Sequence, residues 1–240
     1  DLTVVWVLGM NKVEQISQAI EDGIRQCRWL PGDKLPGQLA LMKSFDVSRT
    51  CLREAITSLE VKGLVTTRHG SGCYVNNLFE AQFAKPMSGV EINSVALQLS
   101  VMEMRLVLEV AAVQYVCERA TDDELAAIDA GYKAMMQAKG TALQKAKADL
   151  NFHMLIAESC HNLIIVSLGQ LFYRHFFNAI HGTLFRAAGH DVRLSAEISA
   201  ALVVQHQAIH AAVMMRDSHG AKVAAQEHIR YSMALLERQA

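Results

Sequence analysis

Four side chains in the second half of the chain have the types and spacing of metal ligands. Asp149 and His153 stand four apart in DLNFHMLIAESCHN. An α-helix turns about 100° per residue, so four residues bring two side chains to one face. A carboxylate and an imidazole so placed can share one divalent ion, though they can equally cap, pair or fill a core. Phe152, Leu155 and Ile156 turn the same region toward a core, where an unpaired carboxylate is costly. VVQHQAIHAAVMMRD then supplies His206 and His210, again four apart, and AQEHIRYSMALL supplies His228. One Asp and three His inside a helical bundle suit a divalent transition metal, with zinc, nickel and manganese all compatible. The chain has 10 histidines, and each one alone reads as a surface or hydrogen-bonded residue. His161, His175, His181, His190 and His219 are left at that reading, and His210 stands as a spare one turn from His206.

A second group of chemically useful residues lies near the beginning. Ser48, Arg49 and Thr50 open a helix in FDVSRTCLREAITSLEVKG, with Arg53 one turn on and on the same face. Short polar and basic groups at a helix N-terminus can reach base edges and phosphates. RHGSGCYV follows, with Arg68 and His69 beside Gly70 and Gly72, a flexible cationic tip suited to a phosphate backbone or minor groove. A surface arginine on a helix is ordinarily just solvated. It is the coincidence of Arg49, Arg53 and Arg68 at the exposed points of one pattern that argues for DNA contact.

That pattern comes from the elements that must carry these residues. Val13, Ile16, Ile20 and Ile24 mark a helix over 11–28. WLPGDKLPG breaks it, QLALMKSF (38–45) forms a short second helix, and Asp46-Val47 turns the chain. Ser48 caps the third helix, Gly63 ends it, and residues 64–75 alternate around glycines as a β-hairpin. Helix, helix, turn, helix, hairpin is the order of a winged helix-turn-helix. Residues 78–92 lose periodicity and contain Pro86 and Gly89, which reads as a linker. From 93 to 240 the pattern is helical, with six segments predicted at 93–119, 122–139, 142–160, 162–187, 191–216 and 219–239. Thr121 and Glu124 make a capping box. The expected fold is mainly α: a winged helix-turn-helix over 11–77 and an antiparallel helical bundle over 93–240.

Bulk properties agree with an intracellular protein of two modest domains. The 240 residues are 51% hydrophobic and 20% charged, with a net charge of −1. That balance alone does not announce a nucleic-acid binder, but it can hide a small basic module. No apolar run has the roughly 18 residues of a membrane span. The apolar opening DLTVVWVLGM has no basic region before it, so residues 1–10 read as a leader or disordered N-terminus rather than a signal peptide. The 5 cysteines form no CxxC pair, which suits a reducing cytoplasm.

GDKLP, then LA…FDVSRTCLREAITSLEVKGLV, then RHGSGCYV resemble the DNA-binding domain of the GntR family of bacterial transcription regulators. EMRLVLEVAAV, DLNFHMLIAESCHN, QHQAIHAAVMMRD and EHI resemble its FCD ligand-sensing domain. The resemblance implies a homodimer on a palindromic operator, controlled by a small effector that is usually a carboxylate. It implies a metal held by Asp149, His153, His206 and His228, with His206 rather than His210 in the family's position. The family's ExR motif maps onto Glu103 and Arg105, and a buried Arg105 can grip an effector carboxylate bidentately. DNA contacts carry over to Ser48, Arg49, Thr50, Arg53, His69 and Gly70. One departure stands out: members commonly read LPSER or LPPER where this chain reads LPGQL, so an arginine contact at Gly37–Leu39 is not carried over.

These readings lead to a cytoplasmic transcriptional regulator whose operator affinity follows a 2-hydroxy or 2-oxo acid held at a metal. An alternative keeps the DNA reader but makes the metal structural or the effector an acyl chain. A metal-dependent enzyme is a third possibility, disfavoured because no general base is evident beyond the ligands and an enzyme has no use for a winged helix.

Overall fold

The computed structural model describes residues 10–80, 94–172 and 192–238, and the backbone alone at 142 and 192–195. The expected leader, most of the expected linker, His175, His181 and His190, and the second half of the helix predicted at 162–187 lie outside the described residues. The chain divides into two compact units, Asp1–Lys85 and Pro86–Ala240.

In the first unit, α1 (Lys12–Arg25) starts at Asn11, whose side chain accepts from Glu14 while Glu14 reaches back, a reciprocal cap. The helix stops before the predicted end because Cys27 turns to φ 57°. Ile16, Ile20 and Ile24 are buried along one stripe. Helix α1 packs on α3 (Arg49–Val61), which buries Leu52, Ala55, Ile56 and Leu59, and α2 (Gln38–Phe45) packs on α3 in turn, with Leu41 and Phe45 buried. Asp46 closes α2 at φ 50°, the left-handed conformation that Asp tolerates better than most residues. Ser48 caps α3 by accepting from the Cys51 amide at 3.3 Å. Glu21 of α1 then receives Lys62 at 2.7 Å, tying α1 to the end of α3.

The hairpin is short. β1 (Val65–Arg68) pairs antiparallel with β2 (Gly72–Val75), Val65 opposite Val75 and Arg68 opposite Gly72. Glu60 of α3 accepts the Thr67 amide at 2.8 Å, which fixes the hairpin to the helix before it. Gly72 is at φ 135°, and a Cβ there would meet the Lys34 side chain at 2.5 Å. The backbone therefore demands glycine at this position, while the flexible end of Lys34 could move aside.

The second unit consists, among the described residues, of helices. These are α4 (Val95–Arg119), α5 (Asp122–Gln137), α6 (Ala142–Glu158), α7 (described over 163–172), α8 (Val192–Met214) and α9 (Ser218–Glu237). Ser94, Thr121, Thr141 and Asp217 cap α4, α5, α6 and α9. Val101 and Met102 of α4 share one apolar cluster with Ile229 and Leu236 of α9. Val113 and Val116 share another with Ala221 and Ala225. The two helices therefore run antiparallel, and α8 packs beside α9. Arg216, at φ 53°, donates to the Ala120 carbonyl at 2.7 Å and the Cys117 carbonyl at 3.4 Å. It thereby satisfies the end of α4 from the turn between α8 and α9.

Phe152 sits at the centre of this unit, fully buried, with its ring edge-on to His153 and His206 at centroid distances of 5.6 and 6.0 Å. Phe152→Ala is expected to cost the unit about 3–5 kcal/mol of stability, measured by denaturant unfolding. A loss below about 1 kcal/mol would mean that the ring is not part of a close-packed core.

Candidate metal centre and nucleic-acid interface

Four helices deliver side chains to one buried point. His153 comes from α6, His206 from α8 and His228 from α9, each at most 5% exposed. One ring nitrogen of each lies within 4.8 Å of the others. His153 Nε2 and His206 Nε2 are 3.2 Å apart. Asp149, one turn before His153, places one oxygen 2.9 Å from His206 Nε2 and the other 3.9 Å from His153 Nε2. Two imidazole nitrogens this close, with a carboxylate beside them, need a shared proton or a cation between them.

The fourth helix, α4, sends no histidine. Its Glu109 accepts the Nδ1–H of His153 at 2.8 Å. That bond leaves the His153 Nε2 lone pair directed at the cluster. Gln205 plays the same part for His228, with Oε1 3.2 Å from Nδ1. Outer hydrogen bonds that fix tautomer and ring orientation are characteristic of metal-ligating histidines. Glu109 also receives Arg105, whose Nε bonds one oxygen while Nη2 lies 3.3 Å from the other. Arg105 is 1% exposed, so this guanidinium and carboxylate neutralise each other away from water.

The electrostatics favour ligands over acids. Burial alone would raise the Asp149 carboxyl, but His206, His153 and Arg105 outweigh it and bring its pKa down to about 2. Burial likewise works against the charge on Glu109, yet Arg105 and His153 hold it well below the usual carboxylate range. His228 is pushed well below the ordinary imidazole value, first by burial and then by the neighbouring positive groups. Ionised carboxylate and neutral imidazole are the states a divalent ion requires. Three imidazole nitrogens with an adjoining carboxylate fit a divalent transition metal. A small cavity lined by Leu108, Ala112, Leu150, Met154 and Ile165 reaches Glu109 and His153, so the surroundings are apolar.

The sequence-derived candidates are thus distributed unevenly. Asp149, His153, His206 and His228 come together. His210 goes elsewhere: it stacks on Tyr132 at 3.9 Å and pairs with Asp129 at 3.0 Å. His161 pairs with Glu124 at 3.0 Å. Of the ExR pair, Glu103 is exposed, and the acid that meets Arg105 is Glu109. Sequence reasoning missed Glu109 and Gln205. Glu109 had a signal, standing four residues after Arg105 on one helix face. Gln205 had none beyond adjacency to His206.

In the first unit, Ser48, Arg49, Thr50 and Arg53 are all exposed on α3, and His69 and Gly70 form the exposed hairpin tip. Ser48 spends its hydroxyl oxygen on the helix cap. Arg68 lies over the Tyr74 ring at 4.6 Å, and the Tyr74 hydroxyl meets Ser71 at 2.7 Å. Tyr74 thus orders a cation on the hairpin, a contribution the sequence reading did not include. Leu39, within the LPGQL departure, is 79% exposed.

Comparison with known proteins places these two sites in context. Residues 12–75 match the family model "Bacterial regulatory proteins, gntR family", and residues 100–231 match the FCD domain. LutR, an HTH-type transcriptional regulator of Bacillus subtilis, is 31% identical over 58% of this chain and 63% of its own length. The putative L-lactate dehydrogenase operon regulatory protein of Escherichia coli is 25% identical over 97% of this chain and 89% of its own. The Uxu operon transcriptional regulator of the same organism is 26% identical over 90% and 83%. A solved structure of Streptococcus agalactiae GntR superposes with a TM-score of 0.53 at 24% identity, covering 92% of this chain and 99% of that one, which supports the fold.

Two measurements test the metal centre. His206→Ala should reduce bound metal, measured by elemental analysis, far more than His210→Ala; the reverse ranking would place the site one helical turn away. Acid should also destabilise the metal-free protein through His228. Its folded pKa lies below the unfolded value of about 6.5, so between the two the unfolded chain takes up a proton that the folded one refuses. Stability is therefore present above about pH 6.5 and is lost as pH falls below it. Melting temperature should decline from about pH 7 to 5, and His228→Gln should flatten that decline; an unchanged slope would remove His228 as its source.

Proposed function

The chain belongs to the gntR family of bacterial regulatory proteins with an FCD domain, and it is a DNA-binding transcriptional regulator; from that premise we propose that a small carboxylate held at the metal centre controls its operator affinity. The observation that carries the reading is the convergence of three buried histidine nitrogens, two of them fixed by outer hydrogen bonds, beside Asp149. A divalent ion at Asp149, His153, His206 and His228 supplies open coordination positions for a carboxylate and its 2-hydroxyl or 2-oxo oxygen. One relative is named for an L-lactate dehydrogenase operon, and a 2-hydroxy acid has that chelating chemistry.

Arg105 gives the second handle. Its guanidinium is buried next to the cluster and already engaged by Glu109. An effector carboxylate that takes Arg105 competes with Glu109, and Glu109 also orients His153. Binding therefore alters a link between α4 and α6, the kind of packed element through which an effector shifts a conformational equilibrium. A coupling of about 1–3 kcal/mol is the usual range for such control. In this reading the protein acts in the cytoplasm as a homodimer on a palindromic operator, with α3 in the major groove and His69 and Gly70 following the backbone. Ser48, Arg49, Thr50 and Arg53 supply the contacts of α3.

The nearly complete burial of His153, His206 and His228 favours a second reading, a purely structural ion. Thermal-shift screening of metal-loaded protein against small carboxylates, followed by operator binding with each hit, separates the two. A hit that changes operator affinity, and does so only with metal present, supports the sensing role. Stripping the metal without any effect on the response would make the ion structural. On the DNA side, Arg49→Ala and Arg53→Ala should each weaken operator binding without lowering the melting temperature of the helical unit. Unchanged affinity in both would place the reading helix elsewhere.

A further inference from the structure

The charged groups around the histidines, counted together, say what charge an effector must bring. Among the described residues these groups are few. Helix α4 contributes Arg105 and Glu109, α6 contributes Asp149, and α8 and α9 contribute imidazoles. Glu109 is held as a carboxylate because its two oxygens receive the guanidinium and the His153 N–H. Asp149, whose carboxylate lies 2.9 Å from His206 Nε2, would be ionised as a ligand of an ion shared with that ring. Imidazoles that ligate an ion are neutral. Two carboxylates against one guanidinium leave one negative charge for a shared proton or a cation to meet, in a site walled by apolar side chains. With a divalent ion on the histidines, the same groups carry one net positive charge.

We infer that the site selects a monoanionic effector, a chelating hydroxy or oxo acid with a single carboxylate, over di- and tricarboxylates. One anionic charge brings the buried assembly to neutrality, whereas a second would again leave a negative charge away from water, which proteins avoid. This inference rests on the carboxylate-effector reading above and adds to it the charge of the ligand. Glu109 is the residue that sets the preference, since it is not one of the four ligands yet contributes one full negative charge to the count. Substituting it by the neutral isostere should move the site toward accepting a dianion.

The test uses full-length protein loaded with zinc, its metal content verified, and titrated by calorimetry with malate and with the 4-methyl ester of malate. The two share a carbon skeleton and a 2-hydroxy carboxylate, and differ by one charge. The ester should bind about tenfold more tightly or better, a difference of about 1.4 kcal/mol, and Glu109→Gln should narrow or invert that ratio. Lactate, which carries one charge on a smaller skeleton, should side with the ester. Malate binding as tightly as the ester to the wild-type protein would overturn charge selection while leaving the carboxylate reading intact. Failure of all three to bind would overturn the carboxylate reading and this inference with it. Should Glu109→Gln fail to fold, the wild-type comparison of malate with its ester decides alone.

Discussion

A carboxylate inside a helical bundle has to be neutralised where it stands, and in this protein that demand falls on Glu109. Its oxygens are shared between the Arg105 guanidinium and the His153 ring. The first contact compensates the charge of a buried arginine. The second sets the tautomer and direction of a histidine on another helix. Remove the acid and two consequences arise together: an unpaired buried cation and a ligand free to rotate. One side chain thus joins core stability to the geometry of the site, and the rest of the helical unit packs around that arrangement. Phe152 closes one side with its ring edge against two histidines, and the apolar residues of α4, α6 and α7 line the cavity behind.

Much of this was legible in the sequence because helices advertise themselves through repetition. Asp149 and His153 share a face at a spacing that needs no tertiary information. The caps at Ser48, Thr121 and Asn11 are short polar residues whose preference for helix ends is local chemistry. The order of three helices and a hairpin follows from breakers such as Pro31, Pro36 and Gly63. What was not legible depended on which helix lies next to which. Nothing in the spacing of α4 shows that Glu109 would meet a histidine 44 positions later. Gln205 looks like any exposed helical amide until α9 is placed beside it. Arg105 read as an open anchor for a carboxylate, because a sequence displays a charge without displaying its partner.

The two units solve the problem of positioning cations in opposite ways. In the helical unit the guanidinium is immobilised by a charge, at the expense of tying up that charge. On the hairpin, Arg68 is ordered by the face of an aromatic ring, and Tyr74 is in turn steadied by Ser71. Stacking leaves the N–H groups around the guanidinium edge available, so the group is oriented without being consumed. A polyanion approaching the hairpin meets a cation whose side-chain freedom has already been reduced, which lowers the ordering cost of contact.

The antiparallel pairing of α4 with α9 has a consequence for how the molecule comes into being. Helix α4 packs in part against α6 and in part against α9, so the share of its apolar stripe that faces α9, such as Val116 against Ala221, waits until about a hundred further residues have been made. Contacts this distant in sequence form late, because the intervening loop must close before they repay its entropy. A chain emerging from the ribosome can complete its helix-turn-helix, whose contacts are local, well before the sensor closes. His228, which lies on α9, joins the cluster only at that final step. The first unit can therefore be complete while the helical unit is still open, and the order of the two is set by topology.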